Sequence, residues 1–368
     1  MVEDAVHTRY LAQFAEPVGY LDHARVGPPS RAVATAVASA VQATVTAGPD
    51  TVDQLMTAKQ DVIHSVAGLS GFPADGITLV PNTSTGLFQV AFALSGEVAY
   101  GGTEFPANHY PWVRAAEAGL LAVRDIASPD GRTTPDAVAA AMSTRTTAVA
   151  VSAVDFATGY RADLPGLREA IGDRLLVVDG IQGFGAAEFP WTVADVLVVG
   201  GQKWLRAGWS TGFLALSERA LDRLHPLLSG WTGVERPTAY DGTIQARAAG
   251  AEQYSITNLS PAADAGFAAA LRLVESVGPA WIEQRIADRV DEVLTALDRI
   301  GALVRSPRSR TERAGIVSFQ LPDRSSAQVH RRLTTAGISA TAHKGYVRVS
   351  VHASTGPESV HALLDALE

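Results

Sequence analysis

Short apolar runs of strand length, each closing on Gly, Pro, Asn or Asp, constrain this chain more than any other feature. Ile77 to Val80, Thr147 to Val151, Leu175 to Val178 and Val196 to Val199 are of this kind and rich in β-branched residues. A run that is apolar nearly throughout suits a strand covered on both faces, as in a parallel sheet flanked by helices. Helical stretches such as Leu164 to Ile171 lie between the runs. The economical fold class is therefore α/β, with a doubly wound, mostly parallel sheet.

The last third changes character. Ser260-Pro261 reads as a helix start, a hydroxyl cap followed by Pro at the first helical position. After Gly278-Pro279, Ile282, Ile286, Val290, Val293, Leu297 and Ile300 recur at spacings of three and four, which makes one apolar helix stripe. Two strand candidates, Gly315 to Leu321 and Tyr346 to Val351, flank a helix candidate at Ser326 to Ala336. A smaller α+β domain beginning near residue 250 is expected, with no internal repeat or long linker.

Charge and composition close off several functions. Lys and Arg number 30 against 38 Asp and Glu, a net charge of −8, which gives no footprint for nucleic acid or an anionic membrane. No cysteine is present, so disulfides, thiolate metal sites and a Cys nucleophile are excluded. The opening MVEDAVHTRY lacks a signal-peptide core, and no run reaches the roughly 18 apolar residues of a membrane span. Ala32 to Ala47, broken by Thr, Ser and Gln, reads as a helix of a water-soluble protein. A cytoplasmic protein is the expectation. No G-x-G-x-x-G follows a strand, and the 9 His show no H-E-x-x-H spacing. Nicotinamide chemistry and a metal site are accordingly not expected.

Three polar segments fall where strands should end, the place where open α/β sheets bind ligands. Leu175–Val178 runs into Asp179-Gly180-Ile181-Gln182, and Val196–Val199 into Gly200-Gly201-Gln202-Lys203-Trp204. Ile77–Val80 runs into Pro81-Asn82-Thr83-Ser84-Thr85-Gly86 and an apolar helix. Each has a plain reading alone: a turn Asp, a solvated loop Lys, a capped helix start. Together they offer a phosphate site at a helix N-terminus, an amine for an aldehyde, and an anion for a protonated ring nitrogen. Phosphate, aldehyde and ring nitrogen describe pyridoxal 5′-phosphate.

These motifs resemble the class V aminotransferase family of fold-type I pyridoxal-phosphate enzymes, which includes cysteine desulfurases, kynureninase, isopenicillin N epimerase and C–S lyases. The resemblance covers nearly the whole chain. It implies a large cofactor-binding domain over residues 20–250, a small C-terminal domain over 251–368, and an N-terminal segment, 1–19, packing on the latter. Tyr20 to Ala24 looks like the family's first strand, with His23 a substrate-side candidate. Glu104 to Trp112 looks like the cofactor-stacking segment, and Tyr346 to His352 like the strand that binds the substrate carboxylate.

By that resemblance Lys203 forms the Schiff base and shuttles the proton, and Asp179 pairs with the pyridinium nitrogen. Gln182 lies near the phenolic oxygen, Thr83 and Ser84 hold the phosphate with Gln202, and Phe105 covers the ring. Ser255 is a weaker candidate for the neighbouring subunit's phosphate, which implies a homodimer with active sites at its interface. Arg348 has an argument of its own. On an alternating strand it points away from Val347, Val349 and Val351, and its fork suits a carboxylate.

Departures bear on the reaction. Without a thiol, desulfuration through an enzyme persulfide is closed to this chain, and cysteine desulfurases place a His where Phe105 falls. Gly200 stands where relatives carry a phosphate-binding Ser. The Tyr-Asn-Thr of many relatives becomes Ala353-Ser354-Thr355, and His343-Lys344 replaces a frequent second Arg. Removal of the α-proton of an amino acid is the shared step, after which transamination is the adopted reading. A C–S β-lyase or an amino-acid epimerase is the alternative. A non-catalytic homologue is disfavoured because Lys203, Asp179 and Arg348 are all present.

Overall fold

The structure, a computed structural model, describes residues 2–128 and 132–368. Its larger sheet contains β1 (Ile77–Leu79), β2 (Glu97–Gly101), β3 (Ala122–Ile126), β4 (Thr146–Ser152), β5 (Leu175–Asp179), β6 (Val196–Gly200) and β7 (Gly212–Leu216). The order across the 7-stranded sheet is β1-β7-β6-β5-β4-β2-β3. Only β7 runs against its neighbours; the other pairings are parallel. The four expected runs are β1, β4, β5 and β6, and β5 and β6 are buried at every residue.

The strands not foreseen depart from the apolar pattern for identifiable reasons. β3 lies at the sheet edge and is largely exposed. β2 is fully buried yet starts with a charge. Glu97 accepts from Arg124 Nε at 2.7 Å and from the Thr146 hydroxyl at 2.8 Å. The Arg124 hydrogen bond above all holds its carboxyl down at about 2. A buried carboxylate is tolerated when it is paired and hydrogen-bonded in this way.

The smaller sheet contains β8 (Leu303–Val304), β9 (Ile316–Gln320), β10 (Thr341–His343) and β11 (Tyr346–Ser350), ordered β10-β11-β9-β8 and antiparallel throughout. Two long helices, Pro261–Val277 and Pro279–Arg299, meet at Gly278, whose φ is +78°. The Ser260 hydroxyl caps the first helix as expected. Ile282, Ile286, Val290, Val293 and Leu297 are buried along one stripe of the second. Burial of each such side chain is worth about 1.5–3 kcal/mol. Near the N-terminus, Tyr10 of the helix Val2–Leu11 packs edge-on to Trp281 at 5.5 Å.

Tyr20 to Ala24 is not the strand its pattern suggested. Tyr20 and Asp22 form single bridges to Ser339 and Ser350. The segment is pinned by Leu21 N–H donating to Ser339 O (3.1 Å) and Ser350 N–H donating to Leu21 O (2.7 Å). The chain turns directly after Asp22, whose carbonyl accepts from Arg25 N–H (3.0 Å) and Val26 N–H (3.2 Å), and this ends the pairing. Among the described residues no helix is long and apolar enough to cross a membrane.

Candidate active site

β5 and β6 are neighbours in the sheet, and both end at the same edge. β5 delivers Asp179 there, where Ile181 N–H donates to its Oδ1 at 3.0 Å. β6 leads into a tight turn in which Gly201 N–H donates to Thr211 O and Ala207 N–H to Gly201 O, both at 2.9 Å. The turn carries Lys203 and is clamped from above by the opening segment, Gly27 N–H donating to Gln202 O at 2.9 Å. A Cβ at Gly27 would stand 2.0 Å from Lys203 O, so only glycine allows this approach.

Arg206, three residues on, holds a left-handed backbone (φ +57°) that costs about 1–2 kcal/mol for a residue with a side chain. Its side chain over-determines that conformation. The guanidinium is buried, binds Glu16 at 2.6 Å and Pro28 O at 2.6 Å, and lies 3.9 Å from the Phe14 ring centroid. Strain held by a buried ion pair directly beside Lys203 marks the turn as a site rather than a connector.

Lys203 is 8% exposed, and among the described residues its amine has no hydrogen bond or ion pair. Burial pulls it down to about 8, with Arg348 adding to the fall while Asp179 and Asp22 oppose it. Asp179, also buried, is pushed up to about 6 by burial, against the pull of the Ile181 N–H and of Lys203. A buried amine close to neutrality beside a buried carboxylate is an arrangement found at functional sites far more than in cores.

Asn82 caps the helix Thr83–Ala91, its side chain accepting from Thr85 N–H at 2.9 Å. Thr83 is buried with its hydroxyl unpartnered. A Cβ at Gly200 would lie 2.6 Å from Gln202 Oε1 and 2.9 Å from Thr83 Oγ1. Gln202 and Thr83 therefore flank a cradle that any side chain at position 200 would fill. Ser84, one residue along the same turn, is exposed.

Gln182 is buried, accepts from Trp204 Nε1 at 2.7 Å and donates to Ala24 O at 3.0 Å. One amide hydrogen remains uncommitted. Phe105 is 40% exposed, its ring centroid 5.2 Å from Lys203 Nζ and 5.2 Å from the Phe156 ring. Arg348 comes from the other sheet. It is buried on β11 opposite Ser318 and Thr341, donates to Phe156 O at 2.8 Å and approaches Asp22 at 3.7 Å, with Nε unpartnered.

Lys203 thus feels the charges of Asp179, at the end of β5, and of Arg348, from the smaller sheet, and Thr83 and Gln202 meet around Gly200. His23 and Ser255 stand apart from them. His23 is fully buried, packed edge-on to Tyr20 at 5.0 Å and tilted against His352 at 5.2 Å. Expected on the substrate side, it lies among these rings with Nδ1 and Nε2 both unpartnered among the described residues. Ser255 pairs hydroxyls with Thr232 at 2.8 Å and lines a separate cavity with Lys59, Glu252 and Asp264.

Asp22, Phe156, Gly27 and Glu104 reach the site without having been assigned a part in it. Glu104 accepts Ser152 N–H at 3.0 Å and the Ser152 hydroxyl as well. Burial pushes it up to about 7, aided by Asp155 and Asp179 and resisted by the Ser152 bonds. The polar stretch after β4 is a signal of the same kind as those after β5 and β6, and it would have pointed to Ser152 through Phe156.

The chain matches the Aminotransferase class-V family over residues 30–360. It is 26% identical over 330 residues to an isopenicillin N epimerase of Streptomyces clavuligerus, covering 83% of this chain and 82% of that one. A probable cysteine desulfurase of Pyrococcus abyssi is 25% identical over 353 residues, covering 89% and 87%. The fold superposes on a cysteine desulfurase from Thermococcus onnurineus NA1 with a TM-score of 0.85 at 22% identity, covering 95% and 94%. On a cystine C–S lyase the TM-score is 0.87 at 19% identity, covering 95% and 97%. This chain belongs to the class-V aminotransferase family of pyridoxal 5′-phosphate enzymes.

Proposed function

We propose that the protein acts at the α-carbon of an amino acid through Lys203, with transamination as the outcome. One observation carries this reading: a buried amine without a hydrogen bond, drawn to about 8, beside Asp179 and Arg348. The residues fit pyridoxal 5′-phosphate. Among the described residues the buried Thr83 hydroxyl has no partner, and a Cβ at Gly200 would crowd it and Gln202 Oε1. Bound there, the cofactor supplies an electron sink that makes the α-proton removable.

Each side chain then has a part. The Thr83 hydroxyl, Gln202 and the free N–H groups of the first helical turn hold the phosphate. Asp179 holds a proton on the ring nitrogen, Gln182 offers its spare amide hydrogen, and Phe105 covers the ring and excludes water. Arg348 takes the α-carboxylate in a charge-assisted bond. Lys203 ties the cofactor's aldehyde and moves the proton. Epimerisation by two bases needs a second proton carrier besides Lys203, and Phe105, whose ring centroid lies 5.2 Å from Lys203 Nζ, cannot serve as one. That favours one-base chemistry. The likeness to a C–S lyase favours β-elimination as the second reading, since it needs the same base and only a leaving group on the substrate. No cysteine is available for an enzyme persulfide.

We also place the protein in the cytoplasm as a homodimer, with Ser255 directed to the neighbouring subunit's phosphate. Borohydride trapping followed by peptide mass spectrometry should label Lys203, and Lys203→Ala should lose the visible band of bound cofactor. A label on another lysine would defeat the proposal. Incubation with an amino-acid panel, assayed for keto acid, ammonia and inverted substrate, separates the branches.

A further inference from the structure

We propose that the preferred substrate carries an anionic group on its side chain, received by Arg305 with His343 at the mouth of the site. This rests on the reading of Arg348 as the α-carboxylate ligand. The mouth is a run of rings. Phe105 contacts Phe156 at 5.2 Å, Phe156 meets His343 at 6.2 Å, and His343 stacks on Tyr346 at 4.8 Å. Arg305 lies 4.4 Å from the Tyr346 ring centroid. Arg348 stands two residues from Tyr346 on the same strand, and both guanidinium groups act electrostatically on His343 and Tyr346.

Arg305 is unlike its neighbours in sequence. Arg308 pairs with Asp298 at 2.7 Å, Arg310 with Asp288 at 2.9 Å, and Arg313 with Asp291. Arg305 is exposed, and among the described residues its guanidinium has no hydrogen bond or ion pair. His343 Nε2 is likewise without a partner. The nearby carboxylates are engaged elsewhere: Asp155 Oδ1 accepts from Thr158 N–H and hydroxyl at 2.6 and 2.5 Å, and Asp22 accepts from the Thr341 hydroxyl at 2.8 Å. A stacked guanidinium and a buried imidazole nitrogen, both with free valence, suit a planar carboxylate or a comparable oxyanion.

The test compares glutamate with glutamine as substrates of the holoenzyme, and succinate with butyrate as dead-end ligands. The dicarboxylate arm reads binding and needs no turnover, so it decides the matter even if the chemistry proposed for Lys203 fails. Succinate should bind about tenfold more tightly than butyrate, and glutamate should have about tenfold the kcat/KM of glutamine. Arg305→Gln should bring both ratios close to one, while Arg308→Gln, on an ion-paired surface residue, should leave them unchanged. Equal binding of succinate and butyrate overturns the proposal. So does a preference kept in Arg305→Gln and lost in Arg25→Gln, because Arg25 flanks Arg348 as well.

Discussion

The rate at which cofactor-free protein captures pyridoxal 5′-phosphate should bend near pH 8. Only the neutral amine attacks an aldehyde. Lys203 is drawn from 10.5 to about 8, chiefly by burial. Its neutral fraction is then roughly one in eleven at pH 7, half at pH 8 and ten in eleven at pH 9. Capture should rise about fivefold over the first unit and less than twofold over the second. An ordinary lysine would give about tenfold at each step. Asp179 supplies the local anion that favours the ammonium form, and with its own proton lost near 6 it stays charged across this range. Asp179→Asn should therefore lower Lys203 further and flatten the rise between pH 7 and 8. Stopped-flow absorbance at fixed cofactor concentration measures the rate. A tenfold increase per unit up to pH 9 would refute the burial argument, as would unchanged capture by Lys203→Ala.

Two further expectations follow from the geometry. Gly200→Ser, which restores the residue common in relatives, should weaken cofactor binding by about tenfold or more, because its Cβ meets Gln202 Oε1 at 2.6 Å and Thr83 Oγ1 at 2.9 Å; fluorescence titration giving tighter binding would contradict the cradle. Glu104 holds its proton up to about 7 in the folded chain against 4.5 ordinarily, so its contribution to stability falls as pH rises through that window. Glu104→Gln keeps an acceptor for Ser152 N–H and should gain stability relative to wild type between pH 5 and 7 in chemical denaturation; a constant difference would count against it.

Much of this architecture is legible from the chain because buried parallel strands leave an uninterrupted trace. β4, β5 and β6 read as apolar runs, and Asp179 closes β5 while Lys203 stands in the turn after β6. The reading failed where burial was achieved through partners instead of apolarity. β2 hides behind Glu97, whose cost is met by Arg124 on β3 and Arg145 just before β4. β3, at the edge, shows no buried face to read. The same division runs through the site. Thr83, Asp179 and Lys203 announce themselves because each follows its own strand. Asp22 joins Arg348 across more than 300 positions, and no local pattern encodes that meeting. Gly27 looks like a turn glycine until the Lys203 carbonyl is found beneath it. His23 is singled out by its motif position, and its packing against Tyr20 and His352 is likewise encoded by no local pattern.

The protein holds this site at a cost that makes sense only with a ligand in place. Lowering Lys203 from 10.5 to about 8 destabilises the folded chain by about 3 kcal/mol below pH 8. Raising Asp179 from 3.8 to about 6 costs about 3 kcal/mol above pH 6. Between pH 6 and 8 both penalties stand together. Among the described residues Lys203 has no hydrogen bond to offset its share, and Asp179 draws on Ile181 N–H and the charge of Lys203. A charged pair serving stability alone would close into contact, as Arg206 and Glu16 do a few residues away at 2.6 Å. Among the described residues these two form no ion pair, and on the proposed reading the phosphate and the substrate carboxylate are held by their neighbours Thr83, Gln202 and Arg348. A molecule that bonds the amine and brings a cation to Asp179 removes both penalties at once, and its phosphate satisfies the Thr83 hydroxyl in the same event. The joint cost of Lys203 and Asp179, more than either residue alone, is what a bound cofactor would relieve.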